Sequence, residues 1–105
     1  MDSQFGSKIR TLREGQKLYL RQVASLLDMD TAQLSKIEKD FRQMKKEQIA
    51  VIANIYKIDK AELVTLWLAD QIVEVVKDSK TALQAISVAE NQLKFRKSNN
   101  KLSKN

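Results

Sequence analysis

With 105 residues, no proline, no cysteine, no histidine and two glycines, the chain has room for one domain and an appended element around a small core. The missing cysteine and histidine remove disulfides, thiolate and imidazole metal ligands, and the usual nucleophile and base pairs, so no metal, cofactor or enzymatic activity is expected. Nineteen Lys and Arg against thirteen Asp and Glu give a net charge of +6, a modest excess that leans toward a polyanionic partner without requiring one.

The charge is unevenly spread. Residues 1–62 hold twelve basic and nine acidic side chains, residues 63–90 two and four, and residues 91–105 five and none. The middle of the chain is therefore the part least suited to a polyanion. Gly6 and Gly15 are the only glycines, so ninety residues run on without the two strongest breakers of regular structure, which is an all-helical signature. The opening "MDSQFGSKIR" lacks the apolar core of a signal peptide and no apolar run reaches membrane-spanning length, so a soluble, cytoplasmic protein is expected.

Phe5, Ile9 and Leu12, spaced four and three apart, predict a first helix that ends near Gly15. Val23, Leu26 and Leu27 with small Ala24 predict a short second helix over 20–27. A third follows from Thr31 to about Lys39 with Leu34 and Ile37 inward, and a fourth carries Ile49, Ile52, Ala53 and Tyr56. Asp59 with Glu62 three residues on reads as a capping box opening a fifth helix. That helix, "KAELVTLWLADQIVEVVKD", holds more apolar residues than one stripe accommodates, which predicts burial on more than one side. Its run Ile72-Val73-Glu74-Val75-Val76 also suits a strand, though no turn residue separates it from Trp67. After a break at Asp78-Ser79, Ala82, Ile86, Ala89 and Leu93 form the seam of a sixth helix. The closing "RKSNNKLSKN" is polar, basic and aperiodic, which predicts a flexible tail.

The stretch "VASLLDMDTAQLSKIEKDF" raises a question, because Asp28-Met29-Asp30 interrupts an otherwise helical segment. Two short helices three residues apart must turn sharply without glycine, and Asp is one of the few residues that tolerates the left-handed region. Asp30 is then placed to cap the next helix and Met29 to plug the corner. A helix-turn-helix fits this pattern, with its second helix in the DNA major groove. A generic helical hairpin would show the same apolar spacing.

The wider stretch "KIRTLREGQKLYLRQVASLLDMDTAQLSKIEKDFR", followed by "IAVIANIYKIDKAEL", resembles the phage-repressor and Cro-like helix-turn-helix regulators of the XRE family. The resemblance spans about residues 5–66, carried by "LR", "VA", "LSKIEK" and "IAVIANIYKID". It implies an all-α, five-helix lambda-repressor-like DNA-binding domain over 1–66. Thr31, Ala32, Gln33, Ser35 and Lys36 would be the base-reading face. Gln33 offers a bidentate partner to adenine, Lys36 donates to guanine, and Ala32 or the Thr31 methyl meets a thymine methyl. Tyr19, Arg21, Gln22, Lys39, Arg42, Lys45 and Lys46 would contact phosphates. Arg13 and Glu38 would form a partly buried ion pair that sets the reading angle. The chain departs from the family at Tyr19-Leu20, where Ser or Thr followed by Gln is usual, so a cap and a contacting Gln are missing. It departs again at Asp28 and Asp40, where Gly or Asn is common.

Residues 67–97 exceed what the DNA-binding unit needs and are read as a helical dimerisation region, with 98–105 as the flexible basic tail. Leu66, Trp67, Ile72, Val73, Val76, Ile86, Ala89 and Leu93 are assigned to a symmetric homodimer interface, although helix six could instead fold back on its own chain. The expected partner is double-stranded operator DNA with no membrane. The expected function is a sequence-specific transcription regulator, a repressor or autoregulator, the class that includes controllers of restriction-modification operons. The alternative is an antitoxin-like chain whose C-terminal region binds a partner protein.

Overall fold

The computed structural model describes residues 3–103, with side chains to residue 98. Among these residues are six helices: α1 (Gln4–Gly15), α2 (Leu20–Leu26), α3 (Thr31–Glu38), α4 (Lys46–Tyr56), α5 (Lys60–Val76) and α6 (Ala82–Ser103). No strand occurs among the described residues, and the β-branched run at 72–76 continues α5. The chain divides between Gln71 and Ile72 into two compact units.

The core of the first unit follows the apolar spacing. Phe5 and Ile9 of α1, Val23 and Ala24 of α2, and Leu34 and Ile37 of α3 are buried, and α1 and α2 both pack on α3. Ile49, Ile52, Ala53 and Tyr56 bring in the inner face of α4, and Leu63 that of α5. Each fully buried aliphatic or aromatic side chain of this kind contributes roughly 1.5–3 kcal/mol. Met44, in the loop before α4, is buried as well, and its carbonyl accepts from the Trp67 indole N–H at 2.8 Å. The loop of residues 39–45 is thereby pinned at its far end.

The four helix ends of this unit close in the same way without a single left-handed glycine. Lys17, Asp28, Asp40 and Lys57 adopt positive φ of 57°, 56°, 70° and 55°. Behind each, the next N–H reaches five residues back: Leu18 to Arg13 (3.1 Å), Met29 to Ala24 (3.0 Å), Phe41 to Lys36 (2.8 Å) and Ile58 to Ala53 (3.0 Å). With the shorter bonds from Lys17, Asp28, Asp40 and Lys57 to the carbonyls of Glu14, Ser25, Ile37 and Asn54, these are four Schellman motifs. Asp28 takes the conformation expected of it; the two lysines carry no such signature.

At α5 two expectations change. Asp59 Oδ1 accepts from the Ala61 N–H at 3.1 Å, but Glu62 pairs with Lys8 Nζ at 3.4 Å, so the capping box is replaced by a tie to α1. Nor is the helix buried on more than one side. Leu63 is buried and Val64, Leu66 and Trp67 pack against the core, whereas Leu68, Ile72, Val73 and Val75 are exposed. Apolar content measures how much surface wants cover and not which residues receive it. In the second unit, Ser79 Oγ accepts from the Thr81 N–H (3.2 Å) just before α6 begins. Backbone helix continues through Ser103, across most of the segment read as a flexible tail, since no Gly or Pro interrupts it. Residues 104–105 of that tail lie outside the described residues.

Candidate nucleic-acid interface

The second short helix of the pair, α3, is held from both sides of its entry turn. Asp30 Oδ1 accepts from the Gln33 N–H at 2.7 Å, and Met29 packs against the core. Because Leu34, Ile37 and Glu38 are buried, the opposite face must carry the remainder. At 100° per residue, Ala32 and Lys36 point most directly outward, with Thr31 and Ser35 on one flank and Gln33 on the other. Thr31, Ala32 and Lys36 are exposed, and Gln33 and Ser35 half-buried. This face offers donors, acceptors and methyl groups in reach of one another, the chemistry that base edges in a major groove require.

Exposed basic side chains precede and follow α3 along the chain. At the start of α2, Arg21 lies over the Tyr19 ring, 5.0 Å from its centroid. Tyr19 makes no side-chain cap there, and Gln22 Oε1 accepts the Tyr19 N–H at 2.7 Å. After α3, the loop carries exposed Lys39 and Arg42 and leads into Lys45 and Lys46, also exposed. Gln48 Oε1 accepts the Lys45 N–H at 3.1 Å, the same device at the start of α4. Among the described residues none of Arg21, Lys36, Lys39, Arg42, Lys45 and Lys46 is held in an ion pair.

Behind the face, Arg13 and Glu38 meet in a bidentate pair, Nε to Oε2 at 2.9 Å and Nη2 to Oε1 at 3.1 Å. Their side chains are only 12% and 3% exposed. Arg13 Nη1 also donates to the Leu18 carbonyl at 2.9 Å, so one guanidinium joins α1, the turn before α2 and the end of α3. The hydrogen bond to Glu38 raises the Arg13 pKa above its ordinary value against the opposing effect of burial, and the group stays charged. Tyr56 lies within the same electrostatic environment. Its buried hydroxyl has no hydrogen-bond partner among the described residues, and burial first, then the Glu38 charge, pushes its pKa well up.

Residues 4–66 match the family model of the helix-turn-helix domain. The chain belongs to this helix-turn-helix family. No curated protein and no solved structure matches it. The matched residues 4–66 include α1 to α4 and the first turns of α5. Among the described residues no cluster of potential ligands could hold a metal ion, and no helix is long and apolar enough to cross a membrane.

The residues assigned to a dimer interface fall into two groups. Leu66 and Trp67 pack against the core of the helix-turn-helix unit, so they are already covered by their own chain. Ile72, Val73, Ile86, Ala89 and Leu93 are exposed and Val76 is half-buried. The sequence reading missed the frame at the other end of α1. Ser3 Oγ accepts from the Gly6 N–H (2.9 Å), and Asp70, from α5, accepts from the N–H groups of Gln4 (3.0 Å) and Phe5 (2.9 Å). A Ser ahead of an apolar-periodic run is a readable cap signal. Asp70 has no local signature, since its partners lie more than sixty residues away.

Proposed function

We propose that the protein is a sequence-specific transcription regulator of the phage-repressor-like XRE type, a repressor or autoregulator that binds a palindromic operator as a dimer. The observation that carries this reading is the polar, uncovered outer face of α3, opposite Leu34 and Ile37, with cations at the start of α2 and in the loop after α3 that form no ion pair among the described residues. Gln33, Lys36 and Ala32 read base edges, with Thr31 and Ser35 beside them, each bidentate contact discriminating by ~1–3 kcal/mol. Tyr19, Arg21, Gln22, Lys39, Arg42, Lys45 and Lys46 hold the sugar-phosphate backbone and set register. The Arg13 to Glu38 pair fixes α3 against α1 and hence the angle at which the face meets the groove.

One such helix spans only a few base pairs, so useful selectivity calls for two copies on two-fold related half-sites about one helical turn, ~34 Å, apart. The exposed apolar residues Ile72, Val73, Ile86 and Leu93, joined by Val76 and Ala89, supply the surface for that second copy. The same side chains favour a second reading, an antitoxin-like chain whose C-terminal unit is covered by a different protein.

Selection of bound duplexes from a random pool at near-physiological salt tests the reading. An inverted repeat with half-site centres ~10 base pairs apart is the expected result. Gln33→Ala or Lys36→Ala then relaxes preference at particular positions, while Arg42→Ala weakens all duplexes alike. No enriched sequence refutes the regulator assignment and favours the partner-protein reading.

A further inference from the structure

Four Schellman motifs close the helices of the first unit, and the residue after each left-handed position is apolar: Leu18, Met29, Phe41 and Ile58. In such motifs that residue ordinarily folds back on its own helix. Leu18, Met29 and Ile58 do so and pack against the core. Phe41 does not; its side chain is 78% exposed although its N–H makes the shortest of the four closing bonds. The backbone closes there with the same pair of hydrogen bonds as at the other three turns, so the ring stands out from a hydrogen-bonded corner.

The ring forms one wall of an open cleft of about 270 Å³ between α1 and the end of α3, lined also by Ser7, Arg10, Glu38 and Lys39. The chemistry of the lining is cationic. The Glu38 carboxylate is consumed by Arg13, and Arg10 has only a long, solvent-exposed contact of 3.5 Å with Glu14. Exposed Asp40 and Arg42 flank Phe41 in the chain. Cations bracketing an unpartnered ring match a chain that alternates apolar sugar with anionic phosphate.

We infer that this cleft seats a stretch of DNA sugar-phosphate backbone, with Phe41 against a deoxyribose face and Arg10, Lys39 and the Ser7 hydroxyl on the adjoining phosphates. The inference rests on the DNA-binding reading above and extends it to α1, which that reading leaves as scaffold. An acidic peptide offers the charge but not the repeating apolar unit at every step, and the cleft opens beside the loop that already presents Lys39 and Arg42. The ring carries no base information, so the site adds affinity and register without sequence preference.

The test is fluorescence-anisotropy titration of a selected duplex and a scrambled one with the full chain, Phe41→Ala, Phe41→Leu and Arg10→Gln, over a range of salt. Phe41→Ala is expected to weaken both duplexes by about tenfold with an unchanged salt slope, as loss of an apolar contact should. Phe41→Leu keeps most of the affinity. Arg10→Gln lowers the magnitude of the slope of log K against log salt by about 0.9, one phosphate's worth. Melting temperatures within a degree or two of the parent confirm that these exposed positions leave the fold intact. Parent-like binding by Phe41→Ala and Arg10→Gln, alongside uniform weakening by Arg42→Ala, overturns the cleft and leaves the DNA-binding reading standing. Absence of duplex binding by the unsubstituted chain overturns both.

Discussion

Replacing Gly6 by Ala is a test in which two ordinary effects oppose each other. In an open helix interior, Gly→Ala gains about 0.8–1 kcal/mol of helix propensity. At Gly6, however, the added Cβ would sit 2.8 Å from the carbonyl oxygens of Ile37 and Glu38 and from Ser3 Oγ. A carbon and a carbonyl oxygen rest comfortably at about 3.3–3.6 Å, so α1 must retreat by roughly half an ångström or the last turn of α3 must give. Ser3 can swing away, but the two carbonyls belong to backbone held by the Asp40 turn and by the Arg13 to Glu38 pair. Overpacking of this kind costs about 1–3 kcal/mol, which exceeds the propensity gain. The expected net loss is ~1–2 kcal/mol, or a fall in Tm of the order of 4–8 °C per kcal/mol for a unit of this size. Gly15 is the internal control, because nothing lies within 4 Å of its added Cβ, and Gly15→Ala should gain up to ~1 kcal/mol. Urea unfolding followed by circular dichroism would measure both. If Gly6→Ala stabilises as much as Gly15→Ala, the close approach of α1 to the end of α3 is not a constraint and the reasoning fails.

Other perturbations follow from the same contacts. Arg13→Ala strands a carboxylate that is 3% exposed, so a loss of ~3–5 kcal/mol is expected, with the Arg13→Met, Glu38→Leu double substitution recovering much of it in the same unfolding assay. Tyr56 has a folded-state pKa raised by burial, so its contribution is fully present below the unfolded tyrosine value near ~10 and is lost as pH climbs above it. Tyr56→Phe should flatten that alkaline loss and, by removing an unpartnered hydroxyl, leave neutral-pH stability unchanged or raised by up to ~1 kcal/mol, as thermal melts at pH 7 and above 10 would show. Lys57→Gly relieves a left-handed side chain at φ 55° and should stabilise by ~1 kcal/mol or less, read as a rise in Tm.

The legible parts of the fold were those in which local chemistry and tertiary need coincide. Ile49, Ile52, Ala53 and Tyr56 sit at helical spacing and are all buried, and Asp28, an acid where a turn was required, holds the left-handed position. Lys17 and Lys57 hold equivalent positions unannounced, because lysine is not a turn former and the conformation is imposed by Leu18 and Ile58 packing behind it. The surplus of apolar residues in α5 was visible, but its distribution was not: composition measures how much surface seeks cover and is silent about whether a neighbour exists to provide it. Among the candidate site residues, the outward set on α3 could be read from Leu34 and Ile37 alone. The exposure of Phe41 could not, since the three other residues at its motif position are packed away.

The bonds made by Trp67 and Asp70 bear on where this protein can be cut and rejoined. The family match stops at residue 66, yet the indole that pins the Met44 carbonyl and the carboxylate that caps α1 both lie past that point. A chimera spliced at the family border would carry a frayed first helix and an untethered loop into its new setting, however faithful its copy of the helix-turn-helix. A junction placed after Gln71, inside α5 where the compact unit itself ends, keeps all of these anchors together with the helix-turn-helix.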